Sequence, residues 1–270
     1  GLTTITLAGT GTVADTVTIQ DDVTNNITVN LDAAATDDTN TVDATLYTGV
    51  LTVVAAVDTA LNADASVTST LTGGTGTSDE LKFVGDTYTA AQLGSVTAFE
   101  KFTITNDAAA TVTIDNGTVA DGKSFVIDGR AIVSSANGLT FSAVTEADGA
   151  VTVHGATGAD AITATVSDLG DTISTYAGSD TITIEADDLT ILDTIDGGTG
   201  GTDTLTISAA ATLADADFTN VTNIEALTFT AASSNTDLGA EYVESGSSTI
   251  TLTTGTNDLN LDSVTIAQTL

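Results

Sequence analysis

The 270-residue chain contains no cysteine, proline, methionine or tryptophan, and only four lysine and arginine residues accompany 37 acidic residues. Without cysteine, the chain forms neither a disulfide bond nor a thiolate metal site. Its formal net charge of −33 repels phosphate backbones, so we predict no nucleic-acid partner. No stretch approaches the roughly 18 consecutive apolar residues of a membrane helix, so no membrane insertion is expected.

Residues 1–20 have neither the basic segment nor the apolar run of a signal peptide, and the sequence has no initiating methionine. We therefore expect a processed chain or a part of a longer one. If the protein is exported, its signal has been removed or lies outside this sequence.

The acidic residues that are present are strongly biased toward aspartate. Only seven of the 37 are glutamate, which leaves 37 − 7 = 30 aspartates. Aspartate favours turns and the short-armed sites that bind hard cations. Because 41% of the residues are hydrophobic and only 15% are charged, the composition indicates a folded chain rather than general disorder.

The first 70 residues alternate apolar side chains with threonine or asparagine. The clearest examples are Thr3–Leu7, Thr16–Ile19, Asn26–Leu31 and Val50–Val54. Alternation with a period of two predicts half-buried β-strands, so we expect an all-β fold. In this part of the chain, only the alanine-rich segment Val57–Ala65 is a candidate helix.

A glycine-rich turn at Ile195–Ile207 reads I-D-G-G-T-G-G-T-D-T-L-T-I. It is close to G-G-x-G-x-D-x-U-x, the calcium-binding turn of parallel β-rolls. Asp196 and Asp203 offer carboxylate oxygens, and the turn carbonyls at Gly198 and Gly200 offer further ligands. The alternative for the same residues is an ordinary loop between two strands.

Related turns occur at Leu71–Phe83, 154–163 and 176–184, each with glycine shortly before an aspartate. Asp160, Asp180 and Asp203, in the turns at 154–163, 176–184 and 195–207, are 20 and 23 residues apart. This spacing is looser than the roughly 18 residues of two nonapeptide repeats. The predicted calcium ligands are Asp79, Asp160, Asp171, Asp180, Asp196 and Asp203, with Gly74, Gly76, Gly158, Gly178, Gly198 and Gly200 in the same turns.

Two blocks of sequence recur in the same order. Residues 71–83 align with 195–207 without a gap, and 94–104 match 219–229 after a shift of one residue. Repetition of this kind indicates a solenoid or an array. We divide the chain into a threonine-rich segment at 1–70, a first repeat unit at 71–153 and a motif-rich second unit at 154–270.

The middle unit also contains N-G and D-G dipeptides, which favour tight hairpin turns. They begin at Asn116, Asp128, Asn137 and Asp148. This pattern predicts antiparallel strand pairs between residues 107 and 153.

Candidate catalytic residues are few. His154 is the only histidine, and no G-x-S-x-G elbow is present to hold a serine beside it, although a Ser/His/Asp triad stays open. A pair of acids for glycoside hydrolysis stays open too, but aromatic residues are only 4% of the chain. We predict that the protein is not an enzyme.

All basic residues lie between positions 82 and 130, at Lys82, Lys101, Lys123 and Arg130. One interpretation is a cationic patch that meets an acidic neighbour in an assembly. The favoured alternative places each basic residue singly beside a local acid, with Glu80 near Lys82 and Glu100 beside Lys101.

The glycine-aspartate turns resemble those of the repeats-in-toxin (RTX) class, and the wider sequence resembles Gram-negative S-layer proteins and large surface adhesins. The resemblance is carried by residues 196–207, 220–229, 71–81 and 155–162. It implies bound Ca²⁺, export by type I secretion and an extracellular position on a bacterial cell surface.

The expected architecture is an elongated parallel β-helix or β-roll-like solenoid with irregular turns, and tandem β-sandwich domains are the alternative. The expected function is structural: a self-assembling S-layer or surface-filament subunit whose fold and assembly calcium stabilises. Its partners would be further copies of itself and a cell-surface polysaccharide. The alternatives are a calcium-stiffened adhesin module and, more remotely, a β-helical enzyme that acts on polysaccharides.

Overall fold

The structure is a computed structural model. It describes residues 2–7, 15–31, 40–55, 69–165, 167, 169–185, 187–209, 212–231, 236–253 and 258–261. The predicted helix at 57–65 lies outside the described residues.

Short strands of two to five residues dominate these ranges. In chain order they are β1 Thr4–Thr6, β2 Asp15–Thr18, β3 Ile27–Leu31, β4 Asn40–Asp43, β5 Leu51–Ala55, β6 Thr70–Thr72, β7 Glu80–Phe83, β8 Thr87–Tyr88, β9 Val96–Thr97, β10 Lys101–Ile104, β11 Ala110–Thr113, β12 Ser124–Asp128, β13 Leu139–Ser142, β14 Ala150–His154, β15 Ala161–Thr163, β16 Thr172–Ser174, β17 Thr181–Ile184, β18 Thr194–Asp196, β19 Thr204–Ile207, β20 Val221–Thr222, β21 Ala226–Phe229, β22 Thr236–Asp237, β23 Thr249–Leu252 and β24 Leu259–Asn260.

Among the described residues, three short helical segments accompany the strands: α1 Ala90–Leu93, a 3-10 helix at Asp215–Phe218 and α2 Ala240–Glu244. A capping box closes the start of α1, because the Thr89 and Gln92 side chains each accept from the other's backbone N–H. Within the described part of the chain, no helix has the length and apolar character needed to cross a membrane.

The strands form four parallel sheets. A ten-stranded sheet has the order β1-β3-β5-β7-β10-β12-β14-β16-β18-β20, and an eight-stranded sheet has the order β23-β21-β19-β17-β15-β13-β11-β8. A four-stranded sheet, β2-β4-β6-β9, and a two-stranded sheet, β22-β24, complete the set. Every described strand pair is parallel. The chain therefore coils into a β-solenoid of about nine turns, as the sequence predicts.

The ten-stranded sheet is the spine of the solenoid. From β2 to β7 the chain alternates between the four-stranded sheet and this spine, and from β10 to β21 it alternates between the spine and the eight-stranded sheet. The change occurs in the coil that contains β8, α1 and β9. The sheet that alternates with the spine along the chain thus changes from the four-stranded to the eight-stranded sheet at this coil.

Because the strands pair in register, aliphatic side chains of successive coils stack on one another inside the solenoid. Ile162, Ile182, Leu205 and Leu227 are register partners on successive strands, and all four are buried. Their threonine or alanine neighbours along the strand point outward, which is the two-residue period expected of a strand with one buried face. Each fully buried aliphatic side chain contributes about 1.5–3 kcal/mol, so the stacked column holds consecutive coils together.

The two repeated sequence blocks are structurally equivalent but belong to different sheets. Residues 71–83 form β6, a turn and β7, and residues 195–207 form β18, a turn and β19. The first block runs from the four-stranded sheet to the spine, whereas the second runs from the spine to the eight-stranded sheet. The repeat therefore encodes a corner between any two sheets rather than a place in the solenoid.

The prediction of antiparallel pairs between residues 107 and 153 is wrong. Here β11 pairs with β13 and β12 pairs with β14, all in parallel. The N-G and D-G dipeptides at Asn116, Asp128, Asn137 and Asp148 lie at corners between sheets. Such a dipeptide permits a tight change of direction, but the apolar face of the adjacent coil decides which strand becomes the partner.

Candidate functional site

Four of the predicted calcium-binding aspartates occupy one recurring position in the fold. Asp79, Asp160, Asp180 and Asp203 each stand immediately before a strand, namely β7, β15, β17 and β19. All four are buried. Asp160, Asp180 and Asp203 lie on consecutive coils, so the spacings of 20 and 23 residues are the lengths of one coil each.

These acids bind the backbone of the neighbouring coil. The Asp160 N–H donates to Asp180 Oδ1 over 2.7 Å, and the Asp180 N–H donates to Asp203 Oδ1 over 2.8 Å. The Asp203 N–H then donates to Glu225 Oε2 over 2.8 Å. We call this row, Asp160, Asp180, Asp203 and Glu225, the aspartate ladder. Asp79 repeats the arrangement earlier in the chain, where its N–H donates to Glu100 Oε2 over 2.7 Å.

Some of these carboxylates also bind turn N–H groups with their second oxygen. Asp160 accepts from the Leu139 N–H at Oδ1 over 2.7 Å and from the Ala156 N–H at Oδ2 over 2.8 Å. Asp79 accepts from the Leu51 N–H over 2.7 Å and from the Gly74 N–H over 2.6 Å. Buried N–H groups at the corners would otherwise lack an acceptor, which is costly. The carboxylates are therefore structural acceptors in this fold.

A second row of the same kind lies before the spine strands. The Asp171 N–H donates to Asp193 Oδ1 over 2.7 Å, and Asp171 itself accepts from the Val151 N–H over 2.9 Å. Asp193 also accepts from the Thr190 N–H over 2.7 Å. The prediction included Asp171 but missed Asp193. The signal that identifies both is an acid directly before a strand, because a glycine precedes Asp171 but not Asp193.

Burial changes the acid-base properties of these rows. Desolvation raises the pKa of Asp160 to about 7 and the pKa values of Asp171 and Asp203 to about 6, although N–H donors oppose the shift. Desolvation raises the pKa of Asp180 as well, and its Oδ2 is buried without a hydrogen-bond partner among the described residues. Asp160, Asp171 and Asp203 therefore exchange protons close to neutral pH.

The fit of these residues to calcium is poor where both oxygens already accept N–H bonds, because N–H groups suit an anion rather than a cation. Asp196 is partly exposed, and its Oδ1 accepts from the Gly198 N–H and the Asn223 amide over 2.9 and 2.7 Å. Within the described ranges, no three or more acidic or histidine side chains gather to hold a metal. Calcium binding at the turns stays a prediction.

The turn glycines allow coils to approach one another closely. A Cβ on Gly198 would lie 2.1 Å from the Tyr176 carbonyl oxygen of the preceding coil, and the residue has a φ of +90°. An added Cβ would also lie within 3 Å of backbone atoms of an adjacent coil at Gly74, Gly76, Gly158 and Gly178. At Gly200 no atom lies near an added Cβ, and only the φ of +84° favours glycine. The glycine pattern is thus explained by packing between coils.

A second group of polar side chains lies on the outer face of the spine. Lys101 contacts Asp128 over 2.9 Å and Glu80 over 3.6 Å, while Lys82 contacts Glu80 over 3.2 Å. Arg130 binds both oxygens of Asp128, over 2.9 and 2.7 Å. Lys82 pairs with Glu80 as predicted. Lys101 pairs with Glu80 and Asp128 rather than with Glu100. Lys82, Lys101 and Arg130 thus gather instead of lying singly.

His154 continues this group on the next strand of the spine. It is the register partner of Asp128, and its Nδ1 lies 3.0 Å from the Tyr176 hydroxyl. Burial and the nearby Arg130 lower the His154 pKa, so the imidazole is neutral at pH 7. Its hydrogen-bond partner is thus tyrosine, not the serine of the triad left open by the sequence. We call Lys82, Lys101, Arg130, His154 and Tyr176 the basic face.

Comparison with known proteins finds no match for this chain, whether among family models, curated proteins or solved structures.

Proposed function

We propose that this protein is a structural, self-assembling subunit of an S-layer or surface filament. The observation that supports the proposal most directly is that, within the described residues, the outermost strands expose apolar side chains. Similar strands elsewhere bury these side chains between coils. Copies stacked end to end would bury them.

At the first end, the core opens to solvent beside β1 and β2, the outermost strands of their sheets. Leu2 is 64% exposed. A cavity of about 340 Å³ opens here, and its apolar lining includes Ile5, Ile19, Val23 and Ile27. An apolar opening of this kind favours a complementary apolar partner.

At the other end, β23 reads T-I-T-L and is the outermost strand of the eight-stranded sheet. The interior strand β17 reads T-I-T-I and pairs on both sides. Leu252 at the end of β23 is 47% exposed, whereas the corresponding Ile184 in β17 is 2% exposed. β23 thus has the sequence of an interior strand, but its side chains are not buried.

The two ends offer different surfaces, so contact between copies is heterologous. A heterologous contact that does not close a ring generates an open filament or lattice. Because parallel strands present free N–H and C=O groups at an exposed edge, a second copy can extend the sheets by backbone pairing. This mode of growth adds whole solenoids without changing their fold.

The proposal also includes bound Ca²⁺ and an extracellular location, because both bear on how copies assemble. Molecules with a net charge of −33 repel one another, and Ca²⁺ at partly exposed aspartates such as Asp196 would reduce that repulsion. Such an ion is plentiful outside cells. Together with the RTX resemblance, this supports type I export to a bacterial cell surface.

Sedimentation velocity at increasing protein concentration tests the proposal, with Leu252→Asp as the variant and Val133→Asp as its control. Both residues are exposed, but Val133 lies in the turn between β12 and β13, away from the outermost strands of both sheets. We expect the native protein and the control to form larger species and the end variant to stay monomeric. A native protein that is monomeric at every concentration, with and without calcium, contradicts the proposal.

A second candidate function, an adhesin module, is favoured by one observation, the basic face.

A further inference from the structure

We propose that the basic face binds an acidic polysaccharide, a chain of uronic acid sugars, through its carboxylates. Such binding would attach the solenoid to a surface glycan whether or not copies assemble. The first support is the layering of charge on the outer side of the spine.

On this face the acidic side chains are less exposed to solvent than the basic side chains that pair with them. The side chains of Glu80 and Asp128 are 19% and 8% exposed, whereas those of Lys82, Lys101 and Arg130 are 37%, 32% and 55% exposed. Three positive groups therefore stand over two less exposed negative groups, and the outward charge is positive. This occurs in a molecule with a net charge of −33, so an anion meets a locally attractive surface only in places of this kind.

The second support is the backbone of Tyr176, which has a φ of +67°. Ser174 pairs in register with Asp196, so the position two residues on, Tyr176, corresponds to Gly198 in the next coil. Gly198 has a φ of +90°, a conformation that glycine adopts freely and tyrosine does not. The chain keeps a strained, exposed tyrosine where the adjacent coil has glycine, and strain of this kind is typical of functional positions.

The arrangement suits a carbohydrate. An exposed aromatic ring offers a flat surface to a sugar. The Arg130 guanidinium lies beside the Tyr176 hydroxyl, and the N–H groups that do not bind Asp128 can donate to a carboxylate. Lys82, Lys101, Arg130 and His154 belong to or directly follow β7, β10, β12 and β14, which are adjacent in the spine. Since parallel strands are about 4.8 Å apart, the face forms a row along the solenoid axis on which a linear chain can lie.

A thin anionic chain fits this row better than a second copy of the protein does. A second copy would bring its own broad acidic surface against the acidic surroundings of the face. A single polysaccharide chain places its charge over the row alone, and ions screen the rest of the molecule beyond about 8 Å at physiological ionic strength.

Titration calorimetry with a long oligogalacturonate in calcium-free buffer tests the site, with neutral dextran as the control ligand. The variants are Tyr176→Gly and Lys101→Gln. Removal of Lys101 leaves Glu80 paired with Lys82 and Asp128 paired with Arg130, so no buried acid loses its last cation. Lys123→Gln is the matched control, because it removes the same charge at an exposed position outside the basic face.

We expect the native protein to bind oligogalacturonate and not dextran. Tyr176→Gly and Lys101→Gln should each weaken binding by about tenfold, as expected when one charged hydrogen bond or one ring contact is lost, while Lys123→Gln leaves it within about twofold. Cooperative melting at or above the native temperature would show that the variants are folded, since Tyr176→Gly also relieves the strain at this position. The proposal is overturned if the native protein does not bind oligogalacturonate, if dextran binds equally, or if Lys123→Gln weakens binding as much as Lys101→Gln. It is also overturned if Lys101→Gln abolishes self-association and leaves glycan binding unchanged, because the face would then be a contact between copies.

Discussion

At the residue scale, the aspartates that the sequence singles out hold one coil to the next. Asp160 is the clearest case, because both carboxylate oxygens accept buried N–H groups and its own N–H binds the next aspartate. Spacing and residue type identify these positions from sequence. Their role is not identifiable in the same way, because a carboxylate before a strand looks the same whether its neighbour is a cation or an N–H group.

Replacement of an aspartate by asparagine tests whether both carboxylate oxygens are needed as hydrogen-bond acceptors. Asp160→Asn puts an amide NH₂ against one of two N–H donors, so we expect a loss of about 1–3 kcal/mol in unfolding free energy. Asp180 is the matched control, because only its Oδ1 accepts an N–H and its Oδ2 has no partner among the described residues. Asp180→Asn should therefore cost less. Chemical denaturation measures both, and an equal cost for the two variants would contradict this role.

The raised pKa values predict that mild acid stabilises the fold. The unfolded pKa of aspartate is near 3.8, whereas the folded values are about 7 for Asp160 and about 6 for Asp171 and Asp203. The folded state thus binds protons more tightly. This stabilisation is complete below the unfolded pKa and is lost as the pH rises through 6 to 7, by about 1.4 kcal/mol per pH unit for each group at most.

An opposite contribution sets the lower limit. Arg130 holds the pKa of Asp128 well below its usual range, so that stabilisation is present above the unfolded pKa and is lost as the pH falls below it. We therefore expect the melting temperature to rise as the pH is lowered from about 7 to about 5 and to fall again in stronger acid. Asp160→Asn should reduce the rise. A melting temperature that falls steadily from pH 7 downward would show that the buried rows are not protonated as described.

At the element scale, the corner is the unit that the sequence repeats. Residues 71–83 and 195–207 form the same strand, turn and strand, yet they join different pairs of sheets. The strands and corners were predictable because alternation and glycine act locally. The sheet to which each strand belongs was not, since it depends on which coil lies next to it, and the hairpins expected around Asn116 and Asn137 failed for the same reason.

Two glycines of one turn provide a test of coil-to-coil packing. Gly198→Ala combines a positive φ with a Cβ 2.1 Å from the Tyr176 oxygen, whereas Gly200→Ala has a similar φ and no atom within 4 Å of the new Cβ. We expect about 1 kcal/mol of destabilisation for Gly200→Ala from backbone strain, and clearly more, at least about 2 kcal/mol, for Gly198→Ala. Thermal unfolding followed by circular dichroism measures the difference. Equal effects would mean that the close approach of the coils does not matter there.

At the scale of the whole molecule, charge and shape act in opposite directions. A net charge of −33 keeps copies apart, while the exposed end strands and the apolar opening lined by Ile5 and Ile19 favour stacking. The solenoid itself was predictable from repetition and alternation. The exposed ends were not, because the sequence of β23 is that of an interior strand.

Electron microscopy of the assembled protein, with image analysis of the repeat along the fibre or sheet, tests end-to-end stacking most directly. About nine turns at a strand spacing of about 4.8 Å give an axial repeat of roughly 43 Å per copy. We predict that repeat, with a 4.8 Å spacing along the same axis, and its loss in Leu252→Asp. Isolated particles at every protein and calcium concentration, or an assembly in which the 4.8 Å spacing does not run along the axis of growth, would contradict the account.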